Sequence, residues 1–311
     1  MFLCTLCSGE HGGESMKRKL EISELIFKIV SYTMLTIFAL CCLYPFVYAL
    51  SASLSERLAV EYGDIVLFPK GLQFDAFARV FKNNIFWNSY SNTLFITFYG
   101  TIWSLFCSIL GAYALSKSRL LFRKIFNFFL VFTMWFSAGL VPQYLNYLAT
   151  KSVFNSIGIT DDKWLVVIAM GMQAMNIILL RNAFEQVPSE IEEAAVVDGA
   201  TEFQVLRKVY IPMCKSTIAT VTLFFAISRW NGYFWARQMI SNSNEHPLQV
   251  YIRLRLEEFT DPEQIAGWKE IYASDSVIYA LIICSIVPIL IIYPFIQKYF
   301  AKGTNEGGVK S

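Results

Sequence analysis

The chain has 311 residues, of which 55% are hydrophobic and only 16% are charged, and its mean hydropathy is +0.46. The apolar residues gather in long runs, a balance that excludes an ordinary soluble domain. The formal net charge of +2 at pH 7 excludes the strongly basic balance of a nucleic-acid-binding protein. We therefore predict an all-α protein embedded in a lipid bilayer.

The segment before the first apolar run contains a basic cluster. Met16 is followed directly by three basic residues at positions 17–19, a pattern typical of a start and a membrane anchor. Met16 is therefore a candidate start beside Met1, and we expect residues 1–15 to be untranslated or disordered and residues 16–24 to form a cytoplasmic N-terminus. No small-residue cleavage site closes the apolar run that follows, so the pattern does not predict a removable signal peptide.

Six apolar runs are long enough to cross a membrane. A helix needs about 20 mostly apolar residues to span the hydrocarbon layer, because its backbone polar groups must be bonded within the segment. We expect a permease-like membrane domain at residues 25–300, followed by a cytoplasmic tail at 301–311. The predicted spans cover residues 26–50, 92–115, 125–148, 164–180, 216–236 and 276–297.

Basic residues beside these runs predict the orientation of the chain. Short loops rich in Lys and Arg stay in the cytoplasm, and such residues precede the first span. Both termini are therefore expected inside, and the segments 51–91 and 237–275 outside. Four further basic residues crowd the short link between the second and third spans: Lys117, Arg119, Arg123 and Lys124.

The loop between the fourth and fifth spans, residues 186–212, carries the most specific pattern. Pro188 suits the first turn of a helix, and the glutamates at positions 190, 192 and 193 complement the positive end of its dipole. Asp198 and Gly199 form a turn signal that ends this short helix. A compact acidic helix with a glycine elbow is therefore predicted.

A second amphipathic helix is predicted directly after this elbow. Phe203, Leu206 and Val209 recur at a helical spacing and define its apolar face. Pro212 is expected to end it at the membrane surface.

The same loop resembles the EAA loop of ABC-importer permeases. Glu193-Ala194-Ala195, then Gly199 and later Pro212, stand at the spacing of that family, although Ser216 departs from a second proline that many relatives carry. In that family the loop forms a coupling helix that fits into a cleft of the ATP-hydrolysing subunit. The resemblance implies these docking residues: Glu190, Glu193, Ala194, Ala195, Asp198, Gly199 and Ala200.

Further motifs resemble the carbohydrate-uptake, maltose-type branch of these permeases. They are Tyr-Pro-Phe at 44–46, Gly-Ala-Tyr-Ala-Leu-Ser at 111–116 and Trp-Asn at 230–231. The segment 137–145 resembles the subgroup that handles complex polysaccharide fragments. The resemblance implies an oligosaccharide importer of the bacterial cytoplasmic membrane. Its expected partners are a cytoplasmic ABC ATPase dimer that binds ATP and Mg²⁺, a second homologous permease and an extracellular solute-binding lipoprotein.

Polar side chains inside the predicted spans are candidates for the path of the solute. Such groups are costly against lipid, so they face the bundle interior or an aqueous path, although amides also join membrane helices. Arg229 lies in the otherwise apolar fifth span, where it either binds a passing solute or holds a structural contact. The candidate path residues are Asn88, Asn92, Gln173, Asn176, Arg229, Asn231 and Tyr233.

Other functions find less support in the residues. No G-x-x-x-x-G-K-[ST] loop occurs, so we expect no ATP site, cofactor, metal or catalytic residue on this chain. An intramembrane hydrolase lacks a histidine base, because His11 and His246 both lie outside the predicted spans. A gradient-driven secondary transporter would be expected to carry mid-membrane carboxylates, and none lies in the six runs. An ABC permease for a solute other than a sugar remains the main alternative.

Overall fold

The computed structural model describes residues 22–260 and 275–306, and every regular element in these ranges is helical. This confirms the predicted all-α class. The expectations for residues 1–15, for most of the N-terminus at 16–24 and for the end of the tail at 301–311 lie outside the described residues. The described residues form two units, one ending at Tyr48 and the other beginning at Ala49.

Within residues 22–260 and 275–306, two helices are each long and apolar enough to cross a membrane. Helix α1 covers Ile22–Ser53, contains Pro45 and supplies the first unit. Helix α4 covers Asn84–Ser116 and extends the predicted second span by two turns towards its N-terminus. Three bent helix pairs also qualify by length and composition, which raises the number of candidate spans to five if each pair is one span.

The third predicted span, 125–148, is not one continuous helix. Helix α5 covers Arg123–Trp135, helix α6 covers Leu140–Ser156, and the two are bent by 114°. Gly139 between them has φ +86°, a conformation that ends a helix and that other residues rarely adopt.

The fourth predicted span, 164–180, is also interrupted. Helix α7 covers Asp162–Ala169 and helix α8 covers Ala174–Glu185, with a bend of 48° between them. Gly171 lies in the gap, where a Cβ atom would stand 2.8 Å from the carbonyl oxygen of Ile168. The sequence reads as an unbroken apolar run because the residues of the gap are themselves mostly apolar.

The fifth predicted span, 216–236, ends earlier than expected because Asn231 and Gly232 interrupt the helix. The sixth lies within one long helix, of which Ser276–Ile291 is the apolar part. In chain order, the remaining helices and turns are α2 Arg57–Glu61, α3 Asp75–Lys82, α9 Ser189–Val197, α10 Glu202–Val205, a π-helical turn Leu206–Tyr210, α11 Ile211–Met213, α12 Lys215–Trp230, α13 Phe234–Met239, a 3₁₀ turn Ser243–Glu245, α14 Leu248–Thr260 and α15 Asp275–Glu306.

Helix α4 is the centre of the second unit and packs against α7, α8 and α12. Small side chains on its buried face, including Ser104, Ser108 and Ala112, let neighbouring helices approach closely. At one end of α4 an apolar cluster joins it to α8, to the π-helical turn and to α12. Its buried members are Ala112, Ile177, Leu180, Phe184, Val205, Leu206, Tyr210, Cys214, Val221 and Phe225.

Candidate coupling site and the polar groups of the broken spans

Helix α9 is the short helix predicted around the EAA residues. It follows Pro188 and ends at Asp198, where backbone N–H groups of Asp198 and Gly199 donate to the carbonyls of Ala194 and Val196, each at 3.0 Å. Gly199 has φ +81°, so it supplies the left-handed residue that commonly follows a helix. The predicted glycine elbow is therefore confirmed.

The seven predicted docking residues divide between two faces of this segment. Ala195 and Ala200 are half-buried and pack against the apolar cluster at the end of α4. The other five form an exposed surface, and they are Glu190, Glu193, Ala194, Asp198 and Gly199.

Exposed apolar side chains surround that surface, and the sequence reasoning missed them. Val196 is 49% exposed, Val197 87% and Phe203 63%. Of the three residues predicted on the apolar face of the second helix, Leu206 is buried and Val209 packs half-buried against the apolar cluster, but Phe203 is exposed, so its placement on that face was wrong. Val205 and Tyr210 complete the buried face, and the π-helical turn begins at Leu206.

A buried lysine connects this segment to the end of α4. The Nζ atom of Lys117 lies 2.6 Å from Oε1 of Glu192 on α9 and donates to the hydroxyl of Tyr210 at 2.8 Å. That hydroxyl donates in turn to Oε2 of Glu192 at 2.6 Å. The ammonium also lies 4.3 Å from the ring centre of Tyr113 and 4.1 Å from that of Tyr210. We call Lys117, Glu192 and Tyr210 the Lys117 cluster.

Two further ion pairs join the α4–α5 link to the same region. Arg119 pairs with Glu202, which also accepts a hydrogen bond from the hydroxyl of Tyr113 at 2.8 Å. Arg123 pairs with Glu185 at the end of α8. The basic link between α4 and α5 therefore contacts the predicted coupling loop at 186–212 directly, a relation that no sequence spacing indicated.

The two glutamates of this network are held in their charged forms. Burial acts to raise the pKa of the Glu192 carboxyl, but hydrogen bonds from Lys117 and Tyr210 outweigh it and leave the pKa below its ordinary value. The hydrogen bond from Tyr113, together with the one from Arg119, lowers the pKa of Glu202 in the same way.

Arg229 is buried at the break of the fourth span. Its guanidinium donates to the carbonyl oxygens of Val166 at 2.8 Å, Val167 at 3.2 Å and Met170 at 2.6 Å, and to the hydroxyl of Ser104 at 2.8 Å. The carbonyls at the end of a helix have no partner within it, so Arg229 satisfies the C-terminus of α7. Of the two roles expected from the sequence, these contacts match the structural one.

The two candidate path residues of the fourth span, Gln173 and Asn176, are in contact. Asn176 donates to the side-chain oxygen of Gln173 at 3.2 Å, and Gln173 donates to the hydroxyl of Ser228 at 3.0 Å. Gln173 is exposed whereas Asn176 is buried. A polar group thus lies beside the break that Arg229 closes.

The other candidate path residues lie apart from this break. Asn92 is buried and donates to the carbonyl oxygen of Asn244 at 2.8 Å, which ties α4 to the segment before α14. Asn88 and Asn231 are exposed, and Tyr233 accepts a hydrogen bond from Arg237. Within the described part of the chain, no group of three or more His, Cys, Asp or Glu side chains is placed to hold a metal ion.

The helical fold with broken spans and an exposed acidic helix is that of a membrane transport subunit. The chain belongs to the family of binding-protein-dependent transport system inner membrane components, whose sequence model matches residues 18–306. It is therefore a permease subunit of the inner membrane and belongs to a family of transport proteins, not enzymes.

Two curated relatives come from Bacillus subtilis (strain 168). The chain is 33% identical to the polygalacturonan/rhamnogalacturonan transport system permease protein YtcP over 92% of its own length and 98% of the relative. It is 34% identical to protein LplC over 86% of its own length and 88% of the relative. A chain in the crystal structure of a bacterial ABC transporter involved in the import of the acidic polysaccharide alginate matches with a TM-score of 0.80 and 44% identity. That match covers 90% of this chain and 98% of the other.

Proposed function

We propose that this chain is one of two permease subunits of an ATP-driven importer for an oligosaccharide. The membrane domain would cover residues 25–300 in six spans. Both termini, including the tail at 301–311, and the coupling loop at 186–212 would lie in the cytoplasm. The third and fourth of these spans would then each consist of a bent helix pair. The observation that carries the proposal is the exposed acidic face of α9, closed by Gly199 in the left-handed conformation.

The exposed surface of α9 has the chemistry of a docking helix. Glu190 and Glu193 offer negative charge, Ala194 allows close approach, and Val197 and Phe203 supply apolar contact area. An ATPase subunit with a basic and apolar cleft would fit this surface. ATP and Mg²⁺ would be bound by that ATPase, and a solute-binding lipoprotein would deliver the solute from outside.

The sugar substrate is supported by the relatives. One takes its name from polygalacturonan and rhamnogalacturonan, and the transporter with 44% identity from the acidic polysaccharide alginate. Both names describe polysaccharides that contain uronic acids, so we infer that fragments of an acidic polysaccharide are the substrates to test first.

The path would pass the break in the fourth span, where Gln173 presents an exposed amide and Asn176 supports it. Asn88, Asn231 and Tyr233 would contact the solute elsewhere on the path. Broken helices in transporters commonly place polar groups beside the solute. Arg229 would shape this region through the carbonyls that it holds, and Asn92 through the segment that it anchors.

The proposal is tested by purification and uptake. The tagged chain should co-purify with a nucleotide-hydrolysing subunit and a second permease, and proteoliposomes of the complex with its binding protein should import labelled oligogalacturonate or alginate fragments when ATP is supplied. Maltodextrin serves as the neutral comparison. Uptake by the isolated chain driven by an ion gradient, without ATP, would contradict the proposal.

A further inference from the structure

The Lys117 cluster joins three elements that the sequence separates widely. Lys117 directly follows Ser116, the last residue of α4, Glu192 lies in the middle of α9, and Tyr210 closes the π-helical turn that leads through α11 into α12. A displacement of α9 therefore acts on the ends of two membrane helices at the same place.

The cluster is buried, in contrast to its neighbours. The side chains of Lys117 and Glu192 are 10% and 20% exposed, whereas those of the Arg119–Glu202 pair are 59% and 55% exposed. An exposed pair is screened by water and contributes little, but a buried charge that loses its partner is strongly destabilised. The Lys117–Glu192 contact is therefore the strongest of the ion pairs between the α4–α5 link and the loop 186–212, where Arg119 also lies 4.0 Å from Oε1 of Glu192.

Each of the three side chains in the Lys117 cluster contacts the other two through its charged or polar atoms. The ammonium contacts the carboxylate and the phenol oxygen, and the phenol bridges back to the second carboxylate oxygen. The rings of Tyr113 and Tyr210 lie near the ammonium and add cation–π attraction. These contacts link α9 directly to the end of α4 and to the π-helical turn.

We propose that the Lys117 cluster is the joint that transmits movement of α9 to the second and fifth membrane helices. The proposal rests on the proposed function, because α9 moves only if an ATPase pulls it. Lys117, Glu192 and Tyr210 act as positioning residues: they do not contact the solute, and they lie apart from the exposed face of α9. Their loss would leave ATP hydrolysis running without transport.

The test compares transport per ATP hydrolysed in the complete complex. Lys117→Met removes the charge and retains much of the side-chain length, and Glu192→Gln removes the opposite charge with little change in shape. Lys124→Met is the matched control, because Lys124 is an exposed lysine of the same region. We expect both cluster variants to assemble with the ATPase and to hydrolyse ATP, while transport per ATP falls about tenfold or more, the range of typical coupling energies.

Two further variants separate a joint from a merely structural contact. Exchanging the charges, Lys117→Glu with Glu192→Lys, should restore part of the transport per ATP that either single change removes. Tyr210→Phe keeps the packing and removes the bridging hydroxyl, so it should lower the ratio less than Lys117→Met.

Three results would contradict the proposed role of the Lys117 cluster. One is an unchanged ratio of transport to hydrolysis in both cluster variants, the second is a fall equal to that of Lys124→Met, and the third is failure of the charge exchange to recover any coupling in properly assembled complexes. Failure of the proposed function is distinguishable, because it would appear in the unaltered protein as an absence of ATP-dependent uptake.

Discussion

Gly100 of α4 lies directly against the buried guanidinium of Arg229. A Cβ atom at this position would stand 3.0 Å from Nε and 3.1 Å from Cδ of Arg229. An arginine side chain is normally flexible enough to move away, but this one is held by four hydrogen bonds to α7, the Met170 carbonyl and Ser104. Gly100→Ala should therefore destabilise the protein.

The magnitude follows from opposing terms. Overpacking of a tight site costs about 1–3 kcal/mol, and replacing glycine by alanine inside a helix returns about 0.5–1 kcal/mol. Subtracting the two terms gives a net loss of about 1 kcal/mol in the free energy of unfolding, within a range of roughly 0–2.5 kcal/mol, measured by denaturant titration of the purified protein in micelles. Gly111→Ala is the matched control on the same helix, because its Cβ would meet only Ile177 Cγ2 at an ordinary 3.9 Å.

A double-mutant cycle identifies the cause. In an Arg229→Met background the added methyl group no longer meets a pinned guanidinium, so Gly100→Ala should become neutral or slightly stabilising. Equal stability of the Gly100→Ala and Gly111→Ala proteins would refute the reasoning. A cost of Gly100→Ala that persists without the guanidinium would refute it as well.

Three further predictions concern the predicted coupling loop and the N-terminal part of α4. Gly199→Ala should lower the free energy of unfolding by about 1 kcal/mol, because residue 199 has a left-handed backbone, and should retain most uptake. Gly199→Trp should insert at normal levels yet abolish uptake. Normal uptake by the Trp variant would contradict a docking role. Because the folded-state pKa of Glu192 is depressed, its stabilising contribution is present above its ordinary value of 4.5 and is lost as the pH falls below it. Glu192→Gln should therefore flatten the melting temperature against pH across this acidic range, and an unchanged slope would count against the ion pair. Asn92→Ala should release the segment around Asn244 and speed its proteolysis about fivefold, because it removes a hydrogen bond of about 1 kcal/mol. Asn88→Ala, at an exposed position one turn away, should leave the cleavage rate unchanged. Equal cleavage rates of the two variants would argue against the role of Asn92 in holding this segment.

Local signals predicted the coupling segment well. Helix α9 and the elbow at Gly199 follow from short-range chemistry, namely a proline at the start, acidic residues in the first turns and a glycine at the end. The helical class follows with equal directness from long apolar runs. Such features depend on residues that are close in sequence, so a single amino-acid sequence is enough to predict them.

The breaks in the membrane helices depend on tertiary contacts and were not predictable in this way. The gap between α7 and α8 is stable because Arg229, about 60 residues further along the chain, supplies donors to the freed carbonyls. Phe203 was expected on the apolar face of the second loop helix with Leu206 and Val209 but is exposed, because tertiary packing selects Val205 and Tyr210 to complete that face. The Lys117 cluster likewise joins positions that only the fold brings together.

The central claim is that the exposed face of α9 binds an ATP-hydrolysing subunit on the cytoplasmic side. The most direct measurement is photocrosslinking in intact membranes with a benzophenone side chain introduced at position 194. The control carries the same side chain at position 66, because Val66 is exposed on the segment predicted to face outward. If the exposed face of α9 is the docking surface, position 194 should capture a nucleotide-hydrolysing protein and position 66 should not. Capture of that protein from position 66 alone, or of no such protein from position 194, would contradict it.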